Sequence, residues 1–169
     1  RNEELRRQFI EEIKQIPEEK IIYMDESGID IAEQYQYGWA KKNERLYCER
    51  NGKKAKRISM IAGLNDNNIV APIFYEGYTD SISFEYWIRH HLCPILKPKM
   101  VIVLDNASFH KGKNIEKLIK ACKCKLLFLP TYSPDLNPIE HKWFEIKHKI
   151  RKESVNLNNW QERISCGFK

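Results

Sequence analysis

The chain has 169 residues, 42% of them apolar, enough to build one contiguous core in a single domain of ordinary size. Its 29 Lys and Arg against 23 Asp and Glu leave a net charge of +6. No run of eighteen or more apolar residues occurs, and RNEELRRQF has neither the apolar core nor the cleavage site of a signal peptide, so a soluble, intracellular protein without a membrane partner is expected.

In chain order, Leu5, Phe9, Ile13 and Ile16 recur at helical spacing and predict an amphipathic helix over 3–16, ending before Pro17 and packing on the domain edge. The apolar run 21–24 predicts a buried strand closed by a turn at Asp25-Glu26-Ser27-Gly28. Strands follow at 37–39, 57–64 and 69–75, the last two separated by the turn residues Asn65 to Asn68 and read as antiparallel neighbours of the first. Thr79-Asp80-Ser81 is suited to capping a helix whose apolar residues are Phe84, Trp87, Ile88, Leu92 and Ile95. The continuously apolar MVIVL at 100–104 predicts a central strand covered on both faces and ending on Asp105. A helix at 113–121, a strand at 125–129, a proline-punctuated loop and a helix at 138–152 complete a mixed sheet covered by helices. The ending WQERISCGFK carries no reading.

Five cysteines, Cys48, Cys93, Cys122, Cys124 and Cys166, form an odd set with no C-x-x-C pair, which indicates neither a zinc knuckle nor a disulfide framework and makes buried or idle thiols in a reducing compartment the default reading. Cys122 and Cys124 are expected on one strand, pointing the same way. Positive charge is concentrated at 41–57, where Lys41, Lys42, Arg45, Arg50, Lys53, Lys54, Lys56 and Arg57 face only Glu44 and Glu49, so that this segment holds the whole excess. Smaller basic clusters lie at 111–125 and 142–152. Such clusters neutralise phosphates of a polyanion, or form a solvated face.

Asp25 and Asp105 are both expected at the C-terminal ends of apolar strands, where open sheets with helical crossovers present ligands, and Glu140 at the start of a helix close behind. Three acids without His or Cys partners are a hard oxygen set suited to magnesium or manganese, and two such ions promote in-line displacement at a phosphodiester. Each acid also has a structural reading: Asp25 and Asp105 as turn formers, Glu140 as the third helical residue of a capping box begun by Asn137. His110 is read either as touching a scissile phosphate or metal-bound water, or as a loop residue. Tyr132 is read as a nucleic-acid contact, and Ile139, Trp143, Ile146 and Ile150 as a core stripe.

The motifs YMDESG, VLDNASFHK and LPTYSPDLNPIEHKW, in this order, resemble the catalytic domain of mariner-related DDE transposases, especially those of bacterial insertion sequences. The resemblance covers about 21–151, YSPDLNPIE is its most specific part, and 34 residues separate Asp105 from Glu140, the spacing associated with that superfamily. It implies an α/β, ribonuclease H-like fold with a mixed five-stranded sheet flanked by helices. It implies Asp25, Asp105 and Glu140 as the catalytic metal ligands, Asn106 and His110 as their supports, and two Mg2+ ions per site with Mn2+ as substitute. No small-molecule cofactor is implied. The implied reaction is hydrolysis at transposon ends followed by transfer of the 3′-hydroxyl into target DNA. The implied partners are both DNAs and, in the functional complex, a second copy of the chain, in a bacterial cytoplasm at the nucleoid. The helix-turn-helix modules such enzymes carry upstream have no counterpart here, so 1–169 is expected to be one catalytic domain with 1–17 as a leading helix or linker. The basic segment then serves as a sequence-independent DNA clamp or a dimer contact. A retroviral-integrase-like or ribonuclease H-like nuclease would use the same acids, though an integrase's N-terminal zinc-binding residues are missing. A domesticated DNA-binding module would keep the fold without catalysis, and would be expected to have lost an acid.

Overall fold

The computed structural model describes residues 2–30, 41–45, 56–107, 110, 112–153 and 159–168. The strand expected at 37–39 and the basic residues Arg50, Lys53 and Lys54 lie outside them. Five strands, β1 (Ile21–Asp30), β2 (Arg57–Asn65), β3 (Asn68–Glu76), β4 (Val101–Leu104) and β5 (Lys125–Phe128), form one mixed sheet in the order β3-β2-β1-β4-β5. β2 runs antiparallel to β1 and to β3, whereas β4 runs parallel to β1 and β5 parallel to β4. The middle strand is therefore β1. β4 is its interior neighbour, and all four of its residues are buried, as its unbroken apolar run requires.

Alternation along the strands feeds two layers. On one face Ile22, Met24, Ile61, Ile102 and Leu104 meet α2 (Ser81–Trp87), the π-helical turn Ile88–Leu92 that continues it, and α3 (Lys113–Ala121). Asp80 caps α2 through a full capping box with Ser83. The fully buried Trp87 donates its indole N–H to the carbonyl of Ala71 at 2.7 Å, where β3 bulges opposite Ile61 to Gly63 and Ala71 takes a positive φ of 50°. On the other face Ile58, Met60, Ala62 and Leu64 meet α4 (Ile139–Glu153) and α5 (Trp160–Gly167). Ile139, Trp143, Ile146 and Ile150 form the expected core stripe. The ending that carried no reading is thus a helix, and Gly167 brings it so close to α4 that a Cβ there would stand 2.7 Å from Ile150.

α1 (Glu3–Lys14) lies over the β4–β5 end of this second face, capped by Asn2, whose side chain accepts from the amides of Glu4 and Leu5. Phe9 packs on Ile21, Val101, Val103 and Leu129, with Ile13, Ile16 and Leu136 around it. The buried stripe is rotated from the one expected: Leu5 is 48% exposed, while Arg6 is 8% exposed. The cause is distant in sequence, because the Arg6 guanidinium grips Asp135 of the proline-punctuated loop with both terminal nitrogens, at 3.0 and 2.6 Å.

Two local expectations are corrected. Asp25 to Gly28 is not a turn: β1 continues to Asp30 because β2 pairs with it from Tyr23 to Asp30, and Gly28 leaves room for the Arg57 side chain, which a Cβ would meet at 2.3 Å. Cys122 and Cys124 are not on a strand; Cys122 ends α3 and Cys124 precedes β5. At Gly63 a Cβ would stand 2.7 Å from Ile22 and 3.0 Å from Val70. Gly63→Val is therefore expected to cost about 1–3 kcal/mol by overpacking, read as a lower urea midpoint with an unchanged slope.

Candidate active site

Parallel pairing of β1 with β4 ends at Tyr23 and Val103. Carried two residues further, that register leads Asp25 and Asp105 to the same end of the paired strands. Asp105 is at the end of its strand as expected, but Asp25 lies in mid-strand, held on its other side opposite Ala62 of β2. What ends at Asp25 is the cover that β4 provides. Asp25 shares its face with Tyr23, the face covered by α4, whose first turn carries Glu140. Asp25, Asp105 and Glu140 accordingly line one pocket of about 320 Å³, together with Asn106, Asn137 and the loop from Leu129 to Pro134.

Several hydrogen bonds hold this pocket's walls. Asn106 donates its amide to the carbonyl of Leu129 at 2.6 Å, tying the end of β4 to the start of the loop. Oδ1 of Asp105 accepts from the backbone N–H of Ala107 at 2.9 Å and lies 2.5 Å from Nδ1 of His110. His110 is fully buried, its other ring nitrogen is 2.7 Å from Oε1 of Glu26, and its ring lies 4.4 Å from that of Phe84. Buried there, it is not among the residues that line the pocket and stands behind Asp105. The capping-box reading of Glu140 is not realised either, since Oδ1 of the buried Asn137 has no hydrogen-bond partner and the backbone carbonyl of Asn137 receives the Glu140 amide. Tyr132 is 80% exposed on the pocket rim, with a left-handed φ of 57°.

Sequence reasoning passed over Glu26, although alternation on a strand continued past Asp25 would have turned it to the opposite face. It also passed over Arg6, and it read Asn137 only as a helix cap. None of the described basic candidates lines the pocket. Lys41, Lys42 and Arg45 are exposed, Lys56 pairs with Glu76 at 2.9 Å, and Arg57 lies 5.2 Å from the ring of Tyr78. Among the described residues no three His, Cys, Asp or Glu side chains already form a closed metal cage, and no helix is long and apolar enough to cross a membrane. The thiols fit an idle role: burial, then the neighbouring Cys122, pushes Cys93 up to about 12.

The two aspartates are electrostatically unlike. Burial, then the negative charges of Glu26, Asp105 and Glu140, raises Asp25 from 3.8 to about 7. Asp105 is held below its ordinary value, mainly by the hydrogen bond from His110. Burial alone would lower His110, but its bonds to Asp105 and Glu26 outweigh that and raise it to about 9, which favours the protonated ring.

A group raised on folding stabilises the fold below its ordinary value and loses that contribution as pH rises through its folded value. For Asp25 the window runs from 3.8 to about 7. In chelator, Asp25→Asn should therefore gain on the wild type through that window by up to about 1.4 kcal/mol per pH unit, and no further above it. Thermal melting against pH checks this, and a constant difference between the two proteins would refute it.

Comparison with known proteins agrees with the architecture. A model of the DDE superfamily endonuclease family matches residues 20–159. The transposable element Tcb2 transposase of Caenorhabditis briggsae is 35% identical over 60 residues, covering 36% of this chain and 21% of that protein. The Mos1 strand transfer complex superposes with a TM-score of 0.69 at 13% identity, over 98% of this chain and 55% of the other. The Mos1 mariner paired end complex with Mg does so at 0.64 and 11%, over 98% and 61%. The chain thus spans about a fifth of the curated relative and little more than half of the Mos1 chain. Its mixed five-stranded sheet flanked by helices is the ribonuclease H-like fold, and the chain belongs to the DDE superfamily endonuclease family.

Proposed function

We propose that this chain is the catalytic domain of a transposase, which hydrolyses phosphodiesters at transposon ends and joins the freed 3′-hydroxyls to target DNA. The observation that carries the reading is the meeting of Asp25, Asp105 and Glu140 in one pocket of a ribonuclease H-like sheet. Their chemistry fits hard divalent cations. Three carboxylates crowd one opening, and their mutual repulsion contributes to the raised value of Asp25, which a cation would relieve. Asp25, Asp105 and Glu140 would hold two Mg2+ ions, with Mn2+ as substitute. Bound there, such ions would supply activation of a water or 3′-hydroxyl and stabilisation of the departing oxygen in an in-line displacement.

The remaining work falls to the protein. Asp105 is kept ionised and aimed by the bonds on its Oδ1. Asn106 fixes the loop that forms the opposite wall. Tyr132 on the rim offers an aromatic face to a nucleotide, while Lys41, Lys42, Arg45, Arg50, Lys53, Lys54, Lys56 and Arg57 engage DNA phosphates without reading sequence. In this reading two copies act together, one site for each transposon end, on DNA in a bacterial cytoplasm at the nucleoid.

Nicking of supercoiled plasmid by the full chain tests the reading. Cleavage should require Mg2+ or Mn2+, stop in chelator, and fall by about 100-fold or more in each of Asp25→Asn, Asp105→Asn and Glu140→Gln, the cost typical of losing one group that stabilises transition-state charge. DNA affinity should be kept or raised, since negative charge near phosphate is removed. Wild-type cleavage by any of these variants would remove that residue from the ligand set. DNA binding without metal-dependent cleavage would instead indicate a module that keeps the fold without the chemistry.

A further inference from the structure

Behind the three carboxylates lies a second layer of polar side chains that the reaction itself does not use. Glu26 directly follows Asp25 on β1, so it points to the opposite face of the sheet, where its side chain is 13% exposed. His110, 0% exposed, fills the space between Glu26 and Asp105, with Nε2 2.7 Å from Glu26 Oε1 and Nδ1 2.5 Å from Asp105 Oδ1. Phe84 of α2 covers the ring at 4.4 Å.

The need for such a bridge follows from the sheet. Asp105 stands two residues past the last β1–β4 pair, so no ladder of backbone bonds holds it to β1. Its side chain is fixed instead by the Ala107 amide and by His110, and both bonds fall on Oδ1. Oδ2 is thereby left for the pocket that Asp105 lines. A buried carboxylate and imidazole are costly to leave unpaired, and here each meets the other over a chain of two short bonds. Glu26 therefore connects the strand that bears one acid to the orientation of the next.

We propose that Glu26 is a positioning residue which, through His110, holds Asp105 with Oδ2 turned toward the divalent-cation pocket. The inference rests on the reading of Asp105 as a metal ligand. Glu26 touches neither cation nor DNA; it acts only through the imidazole. Outer partners of metal ligands typically contribute 10–100-fold in metal affinity, which sets the size of the effect.

Calorimetric titration of the full chain with Mn2+ alone tests it, alongside plasmid cleavage at rising Mn2+. Glu26→Leu should bind Mn2+ about 10–100-fold more weakly, and its cleavage should recover at saturating Mn2+. Glu26→Gln, which keeps an oxygen acceptor facing Nε2, should return to near wild-type affinity. Glu26→Asp keeps the charge but withdraws the carboxylate by one methylene; it should weaken binding as Leu does, and it decides the matter if Glu26→Leu does not fold. Wild-type Mn2+ affinity in both Leu and Asp variants, with binding lost in Asp105→Asn, would overturn this inference alone. A Gln variant as weak as the Leu variant would also overturn it, by showing an effect of charge rather than of orientation. Undiminished binding by Asp105→Asn would overturn the ligand reading, and this inference with it.

Discussion

The short parallel pairing between β1 and β4 is the constraint on which the site depends. Three residues of each strand are in register, from Ile21 with Val101 to Tyr23 with Val103, and β4 then stops while β1 runs on to Asp30. A parallel pair needs a crossover, and here that crossover contains β2 and β3, which extend the sheet, then α2 and the π-helical turn, which bury one of its faces. The point where pairing ends is also where two carboxylates can stand side by side without a backbone neighbour between them. α4 returns across the other face and brings Glu140 to that point. Strand length, not a special loop, creates the opening.

Identical side chains acquire different characters within this opening. Asp25 is buried in mid-strand among other negative charges and is raised to about 7, while Asp105 is partly exposed and bonded to the His110 imidazole. Burial among like charges and a hydrogen bond from His110 push the two carboxyls in opposite directions. The protein therefore presents an ionised carboxylate and a carboxyl reluctant to ionise in one pocket.

Much of this was legible beforehand, for identifiable reasons. Val101 to Leu104 could only be a strand covered on both faces, and Asp105 at its end followed directly. Ile139, Trp143, Ile146 and Ile150 declared the buried face of α4 through their period. Asp25 was found, but its surroundings were not, because Glu26, Ser27 and Gly28 are locally turn formers and only the nine-residue partner β2 holds them extended. That error also hid Glu26, whose face depends on the strand continuing. Arg6 was hidden for a different reason: helical periodicity assigns apolar residues to a face, and it carries no sign of a carboxylate 129 positions away. α5 was missed because its buried contacts, Trp160 and Phe168 with Phe74 and Trp143, are interleaved with polar residues and span barely two turns.

The grip of Arg6 on Asp135 bears on where this catalytic unit has its edges. Kinship with the family runs from residue 20 to 159, yet α1 ends before that stretch and α5 begins after it. α1 supplies Phe9 to the apolar floor under β4 and β5, and α5 supplies Ile164 to the layer beneath α4. A piece trimmed to the shared stretch would wet both surfaces and take the Arg6 guanidinium from Asp135, which adjoins the pocket wall at Pro134 and stands two residues from Ser133 and from Asn137. The loop that walls the carboxylates is thus anchored by a residue outside the stretch that the family model matches.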